Sequence, residues 1–391
     1  MRILLFTGKG GVGKTTTAAA TALHLARGGQ RVVVTSADAA HSLGDSLGMD
    51  DLGSEPLEVA PNCWAQQLDG RERLEENWAE IRDWMVELFD WAGVDDVAAE
   101  ELAVLPGLEE MFSLTEIDTL AATGDFDVII VDCAPTAETI RLLSLPEILG
   151  WYMERFFPAS RRLNRMVGPL VSRLSSLPVA DDAVFMAGKR FYDRIDSVRE
   201  LLCDPSLTSV RMVLNPESMV IAEARRTHTY LSLFGYQVDA VVVNRVLPDD
   251  VDGEWVESWR SSQARNIEEL DASFADIPRF TATHGGSEVR GVDHLVAFAE
   301  DLWGDSDPSE RLSVVKPISI DKEGDDFVLS IVLPFVTGSQ TDLARKGDDL
   351  FISLGPHRRC LTLPDSLARR EIAGAVVEDG HLRITFVTSS D

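Results

Sequence analysis

The chain has 391 residues, of which 45% are hydrophobic and 26% charged, and this composition is typical of a globular protein with two or three domains. Its formal net charge of −29 argues against non-specific binding to nucleic acids or to anionic lipid headgroups, because like charges repel. No apolar run approaches the roughly 18 residues that a membrane-spanning helix needs, and no signal peptide precedes the first strand, so we expect a soluble, cytoplasmic protein without an integral membrane span.

The first predicted element is a buried strand over Ile3–Phe6, and a glycine-rich segment follows it directly. This segment fits the phosphate-binding pattern G-x-x-x-x-G-K-[ST] and leads into an Ala-rich helix that starts at Thr16; its residues are Gly8, Lys9, Gly10, Gly11, Val12, Gly13, Lys14 and Thr15. Glycines let backbone N–H groups turn towards phosphates, and the helix N-terminus adds a favourable dipole. We expect Lys14 to reach the β- and γ-phosphates and Thr15 to bind Mg²⁺.

Further short apolar strands are predicted along the chain, at Arg31–Thr35, Asp127–Val131, Val210–Leu214 and Ala240–Val243. Their alternation with helices up to about residue 305 predicts an α/β fold with a doubly wound, mostly parallel sheet. Ligands of such sheets bind at the carboxyl ends of the strands, so the polar residues at those ends are the candidates for chemistry.

Two aspartates follow predicted strands at that edge. Asp38 stands in the segment Ser-Ala-Asp-Ala-Ala-His-Ser, where a carboxylate can orient or deprotonate an attacking water. Asp132 ends the third strand, where a carboxylate can hold Mg²⁺ directly or through water. Taken singly, each aspartate also fits a helix cap or a turn; together with the glycine-rich loop, they favour a catalytic site.

Two long stretches, 71–122 and 138–203, interrupt the alternation of strands and helices. In the first, apolar residues recur at spacings of three and four, which predicts helices; the second is helical in character and punctuated by prolines. We expect both stretches to form a separate helical layer above the nucleotide. Methionine and phenylalanine side chains in these stretches could line a groove for apolar ligands of varied shape, although ordinary packing between helices explains them equally well. The residues are Met85, Met111, Phe112, Met153, Phe156, Phe157, Met166 and Met186.

The character of the sequence changes near residue 305. Residues 305–311 are predicted to be a linker between a phosphate-binding domain at 1–304 and a β-domain at 312–391. Alternating apolar residues predict a half-buried antiparallel sheet that folds as a small sandwich. Its predicted strands are Leu312–Ile320, Phe327–Pro334, Leu350–Leu354, Arg359–Leu363 and His381–Val387.

Four cysteines lie far apart, at positions 63, 133, 203 and 360, and none forms a C-x-x-C pair. A zinc site built from closely spaced cysteines of one chain is therefore not expected. We expect four reduced thiols.

Several motifs, taken in chain order, resemble those of one ATPase family. They are the loop at residues 8–15 with its additional Lys9, Asp38-Ala-Ala-His-Ser, Asp132-Cys-Ala-Pro-Thr-Ala-Glu-Thr, Asn215-Pro216-Glu217, Val241-Val242-Val243-Asn244 and Glu288-Val289-Arg290-Gly291. Over nearly all of residues 1–303, the chain is similar to the deviant P-loop ATPases of the arsenite-pump (ArsA) and tail-anchored-protein-targeting family. The resemblance implies a homodimer that hydrolyses ATP with Mg²⁺.

The resemblance also implies roles for single residues. Lys9 is expected to reach across the dimer to the phosphates of the other subunit, and Asp38 to position the hydrolytic water. Asp132 is expected to sense the γ-phosphate and Mg²⁺. Asn244 is expected to bind adenine, since an amide both donates and accepts hydrogen bonds, and Glu217 to contact the nucleotide.

Residues 326–384 resemble the α-crystallin domain of small heat-shock proteins, in particular Asp326–Pro334, Leu363–Leu367 and Asp379–Ile384. Fused to this type of ATPase, the domain is similar to a branch that lacks the zinc-binding cysteine pair. In the targeting branch, the helical layer forms a groove for hydrophobic helices of membrane proteins, and these are the partners we expect. Two alternatives remain: an ATPase subunit of an arsenite or oxyanion pump, and a nucleotide-gated holdase with clients on the β-domain.

Overall fold

The computed structural model describes residues 1–36, 42–68, 82–83, 86, 108–133 and 182–388. Over these ranges the chain forms one large sheet covered by helices and two smaller antiparallel sheets. None of the helices within the same ranges combines the length and the apolar character that a bilayer span requires.

The large sheet has the strand order β3-β4-β2-β5-β1-β6-β7-β8. Its strands are β1 Arg2–Thr7, β2 Val32–Ser36, β3 Leu57–Ala60, β4 Cys63–Gln67, β5 Val128–Asp132, β6 Thr208–Leu214, β7 Val238–Val246 and β8 Arg279–Thr283. All neighbouring pairs are parallel except β3–β4. The predicted doubly wound, mostly parallel sheet is confirmed, and the central strands β2, β5 and β6 are buried along their whole length, as expected for strands covered on both faces.

Seven helices accompany this sheet in the described ranges: α1 Lys14–Arg27, α2 Ser42–Leu47, α3 Leu108–Thr123, α4 Asp182–Cys203, α5 Ser218–Phe234, α6 Glu254–Ser273 and α7 Val292–Trp303. The Ala-rich α1 packs against β2 and α7, because alanines allow close approach of neighbouring backbones. Helices α3 and α4 lie within the two stretches predicted to be helical and pack against each other. Every candidate groove residue except Met186 lies outside the residues whose side chains are described.

The C-terminal part forms two antiparallel sheets, β14-β15-β10-β9 and β11-β12-β13, which confirms the predicted β-sandwich. Its elements are β9 Ile318–Glu323, β10 Asp326–Val332, β11 Thr341–Lys346, β12 Asp349–Leu354, β13 His357–Thr362, α8 Asp365–Ala368, β14 Arg370–Glu378 and β15 His381–Thr388. Fully buried residues from both sheets meet in its core, among them Ile331, Ile352 and Phe386.

The predicted strand Leu312–Ile320 is wrong over its first six residues, because β9 begins only at Ile318. The backbone before β9 bonds to side chains of the large sheet instead of to a strand. Leu312 N donates to Asp239 Oδ2 at 3.3 Å, and Ser313 O accepts from Gln237 Nε2 at 2.6 Å. Pro317 then has no N–H to donate to a ladder.

The β-domain packs directly on helix α5. Leu233 of α5 is fully buried in the core of the β-domain, and its carbonyl oxygen accepts a hydrogen bond from Arg359 Nη1. The rings of Tyr230 and His357 lie 4.1 Å apart, centroid to centroid. Thr229 Oγ1 donates to Pro334 O at 2.5 Å. The second half of α5 therefore belongs to the cores of both parts of the molecule.

A buried ion pair holds the segment that joins the two parts. Arg211 and Asp239 are both fully buried, with Nε and Oδ1 3.4 Å apart. The guanidinium also donates to Pro308 O and lies 5.1 Å from the ring of Trp303. Burial lowers the pKa of Arg211, and the charge of Asp239 opposes this shift.

Candidate nucleotide-binding site

The glycine-rich loop between β1 and α1 passes very close to strands β6 and β7. A Cβ atom on Gly8 would lie 2.1 Å from Val213 O, and one on Gly13 would lie 2.3 Å from Asn244 Nδ2. Gly11 and Gly13 have φ angles of 80° and 95°, in the left-handed region that side chains other than glycine rarely adopt. The loop can therefore keep this path only with glycines at these positions.

Helix α1 begins directly after the loop, so its first N–H groups point towards the space above the loop. Lys14, in the first turn, is only 6% exposed, and its Nζ lies 3.5 Å from Lys9 O. A helix N-terminus and a lysine directed over glycine-rich backbone form a site for an anion.

Oxygen ligands meet beside the loop, at the carboxyl ends of β5 and β2. Thr15 Oγ1 donates to Asp132 Oδ2 at 2.7 Å, and Ser36 Oγ donates to the same oxygen at 3.3 Å. Ser42 Oγ lies 3.0 Å from Thr15 Oγ1. The strand register explains this cluster, because Asp132 lies opposite Phe6 on one side and Ser36 on the other. A hydroxyl and a buried carboxylate are a donor set that fits Mg²⁺.

A cleft of about 950 Å³ opens next to this cluster. One wall is the glycine-rich loop with the start of α2, and the other is the segment 283–290 together with Asn244 and Arg245. The size lies within the range of small-molecule and cofactor sites.

The segment that closes the cleft is bonded to α2. Arg290 Nε donates to Asp45 O at 3.1 Å, and Gly291 N donates to Ser46 O at 2.8 Å. Neither this wall nor Arg245 is predicted from the sequence to line the site, although Glu288–Gly291 is one of the motifs that carry the resemblance. Gly285-Gly286, directly after β8, is the local signal that could have marked it as a loop at the binding edge.

Comparison with known families agrees with this geometry. The model described as "Anion-transporting ATPase" matches residues 1–304. The chain belongs to the anion-transporting ATPase (ArsA) family. The model described as "HSP20-like domain found in ArsA" matches residues 324–386, so the second part of this ArsA-family chain also corresponds to a known module.

Two relatives match this ArsA-family ATPase over nearly its whole length, and a third matches about three quarters of it. A "Putative arsenical pump-driving ATPase" of Prosthecochloris vibrioformis is 38% identical over 391 residues, covering 99% of this chain and 96% of the relative. "Putative arsenical pump-driving ATPase 1" of Aquifex aeolicus is 35% identical, covering 98% and 99%. An "ATPase ASNA1 homolog" of Entamoeba dispar is 25% identical over 304 residues, covering 75% and 91%. These matches show that the chain is an ATPase.

The structure brings some of the predicted site residues together and leaves others apart. Apart from Lys9, the loop residues lie at or beside the cleft of the ArsA-family chain, and so do Thr16, Asp132 and Asn244. Lys9 is half-exposed, and its Nζ lies 3.9 Å from Glu223 Oε2 on α5. Glu217 is exposed just before α5. Neither Lys9 nor Glu217 lines the cleft, and Asp38 lies outside the described residues.

Cys133 follows Asp132 directly and is buried. Burial raises the pKa of its thiol to about 12, and the neighbouring Asp132 carboxylate adds to the shift. The thiol therefore stays protonated beside the site, and such a thiol is a poor nucleophile and a poor metal ligand.

Proposed function

We propose that this ArsA-family ATPase is a Mg²⁺-dependent homodimeric switch that binds hydrophobic helices of membrane proteins and releases them with its nucleotide state. One observation carries the proposal. The glycine-rich loop, the Thr15–Asp132 pair and the wall at 283–290, which is bonded to α2, all lie around one cleft. A nucleotide bound in this cleft would contact elements on both of its sides and could change their positions.

Thr15 and Asp132 are the residues that would hold Mg²⁺, and the ion would balance charge between the β- and γ-phosphates. The loop N–H groups and Lys14 bind the phosphates. Asp38, which follows β2 by two residues in the sequence, would orient the attacking water. When the γ-phosphate leaves, the contacts that depend on it are released, and this change is the signal that moves the switch.

The position of Lys9 and the exposed apolar side chains outside the cleft support the homodimer. The Lys9 ammonium lies on the surface against Glu223 and not over the nucleotide site of its own subunit. On the same helix, Met219 precedes Glu223 by one turn and is 74% exposed, and Trp255 of α6 is 67% exposed. Large apolar side chains with this exposure are typical of a surface that a partner covers. A second copy of the chain would also bring its own Lys9 to this surface.

The first test compares ATP hydrolysis by the wild type, Asp38→Asn and Asp51→Asn, the last being the same substitution at an exposed aspartate outside the cleft. We expect Asp38→Asn to remove most activity and Asp51→Asn to leave it unchanged. Light scattering with ATP and with ADP measures the dimer, and a fluorescent peptide with the sequence of a hydrophobic membrane helix measures client binding. A chain that stays monomeric with both nucleotides, or that binds the peptide in neither state, contradicts the proposal.

A pump-driving role is the second candidate, favoured by the names of the bacterial relatives. Arsenite or antimonite added to the ATPase assay decides between the two: stimulation supports the pump, and an unchanged rate supports the switch.

A holdase with clients on the β-domain would use exposed apolar residues of that domain, such as Val376, which is 51% exposed. Val376→Asp tests this site without disturbing the packing on α5. Loss of binding of an unfolded protein, with peptide binding retained, would favour the holdase.

A further inference from the structure

Asn244 is held at both ends of its side-chain amide by backbone groups. Its Nδ2 donates to Val12 O in the glycine-rich loop at 2.8 Å, and its Oδ1 accepts from Arg245 N at 2.8 Å. The side chain is only 6% exposed. The amide therefore already bonds to the loop and to its own strand. The expected contact with adenine would have to use the second N–H of Nδ2 and the second lone pair of Oδ1.

Arg245 has an unusual backbone conformation that needs support. Its φ angle is 58°, in the left-handed region that residues other than glycine rarely adopt. The buried Gln263 of α6 bonds to the backbone on both sides of the turn: its Nε2 donates to Arg245 O at 3.1 Å, and its Oε1 accepts from Leu247 N at 2.9 Å. Gln263 thereby holds the backbone of the turn that begins at Arg245, whose N–H meets Asn244.

The bond to Val12 has a consequence for the next peptide group. In a trans peptide, the C=O of one residue and the N–H of the next point in opposite directions. The Val12 carbonyl points at Asn244, so the Gly13 N–H points away from β7, back into the loop. This is the side on which a phosphate-binding loop receives its ligand.

We propose that Gln263, the Arg245 backbone and Asn244 form an amide bridge that positions the Val12–Gly13 peptide for the phosphates. Asn244 is on this view a positioning residue for the triphosphate, and Gln263 acts through it from a helix that does not line the cleft. The inference rests on the proposed binding of MgATP in this cleft. Because the bridge acts on the phosphate loop, it affects every ligand with the same phosphates, with or without a base.

The test uses inorganic tripolyphosphate, which has no base, beside ATP, each with Mg²⁺ and measured by calorimetry. Asn244→Leu and Gln263→Met remove the amides without adding charge. Gln237→Met is the matched control: Gln237 is a buried amide that donates to Ser313 O at 2.6 Å, far from the loop. The urea midpoint of each variant is measured alongside to compare stability.

We expect Asn244→Leu and Gln263→Met to weaken tripolyphosphate binding by about tenfold or more, with a loss of similar size for ATP, and Gln237→Met to leave both unchanged. Unchanged tripolyphosphate binding with weaker ATP binding would mean that Asn244 contacts the base only, and it would overturn the inference. An equal loss in Gln237→Met would overturn it too, since general loosening would then explain the effect. If the wild type binds neither ligand, the proposed site itself fails.

Discussion

Gly13 offers a direct test of how tightly the phosphate loop packs on β7. In a Gly13→Ala variant, the new Cβ would lie 2.3 Å from Asn244 Nδ2, far inside van der Waals contact. Gly11→Ala is a matched control, because Gly11 is also left-handed, with a φ of 80°, but a Cβ there would meet nothing within 4 Å. The two variants differ in the steric contact and share the conformational penalty.

The structure sets the size of the stability loss that we expect in each variant. A left-handed alanine costs about 1–2 kcal/mol in either variant. Only Gly13→Ala also displaces Asn244, which leaves the Val12 carbonyl without its hydrogen bond and adds about 1–3 kcal/mol. We therefore expect Gly13→Ala to lower the free energy of unfolding by about 1–3 kcal/mol more than Gly11→Ala does, before any nucleotide is added.

Urea unfolding followed by tryptophan fluorescence measures this difference as a shift of the midpoint. Repeating both substitutions in an Asn244→Ala background completes a double-mutant cycle, in which the extra effect at Gly13 should disappear. Equal midpoints for Gly13→Ala and Gly11→Ala in the wild-type background would show that Asn244 does not restrict the loop, and the reasoning about the amide bridge would fail with it.

Three further outcomes are expected. Asp239→Asn leaves the Arg211 guanidinium buried without its carboxylate and should lower the free energy of unfolding by about 3–5 kcal/mol; a change below about 1 kcal/mol in urea would contradict this. Burial lowers the pKa of His228 to about 4 from 6.5, so the folded state favours the neutral ring, and the resulting stability is complete above about pH 6.5 and is lost as the pH falls towards 4. Between about pH 7 and pH 5, the free energy of unfolding of His228→Phe should therefore fall by about 2 kcal/mol less than that of the wild type. Parallel pH profiles of stability for the two proteins would refute this expectation. Lys9→Met removes only an exposed ion pair with Glu223 and should change stability by less than about 0.5 kcal/mol while it abolishes ATP hydrolysis, so a fully active variant would show that Lys9 is not part of the site.

The parts of the fold that were predictable are those in which local sequence decides the structure. The strand at the N-terminus, the glycine-rich loop and α1 follow one another without interruption, so a single pattern predicts all three. Asp132 was identified because it ends an apolar strand, and the structure places its carboxylate 2.7 Å from Thr15 Oγ1. Neighbouring parallel strands bring such residues together at one edge whatever their separation along the chain.

The parts that were missed depend on contacts distant in sequence. Leu312, Val314 and Val315 have the apolar character of a strand, but Val314 is 73% exposed and the backbone there bonds to side chains of β7. Strand β14 is mostly exposed and contains a register shift near Gly374, so it has no alternating pattern to detect. The wall at 283–290 is likewise defined by its bonds to α2, which no local pattern reveals.

Helix α5 shows why the two parts of the chain act as one structure. The residues that match the ATPase family end at 304 and those that match the HSP20-like domain begin at 324, yet buried contacts cross this division. One end of α5 faces the phosphate loop through the contact between Glu223 and Lys9, and the other end supplies Leu233 to the core of the β-domain. A rigid helix transmits displacement along its axis, because shifting one end without the other would break its internal hydrogen bonds. Glu223 and Leu233 therefore lie on one continuous helix that joins the surface of the phosphate loop to the core of the β-domain.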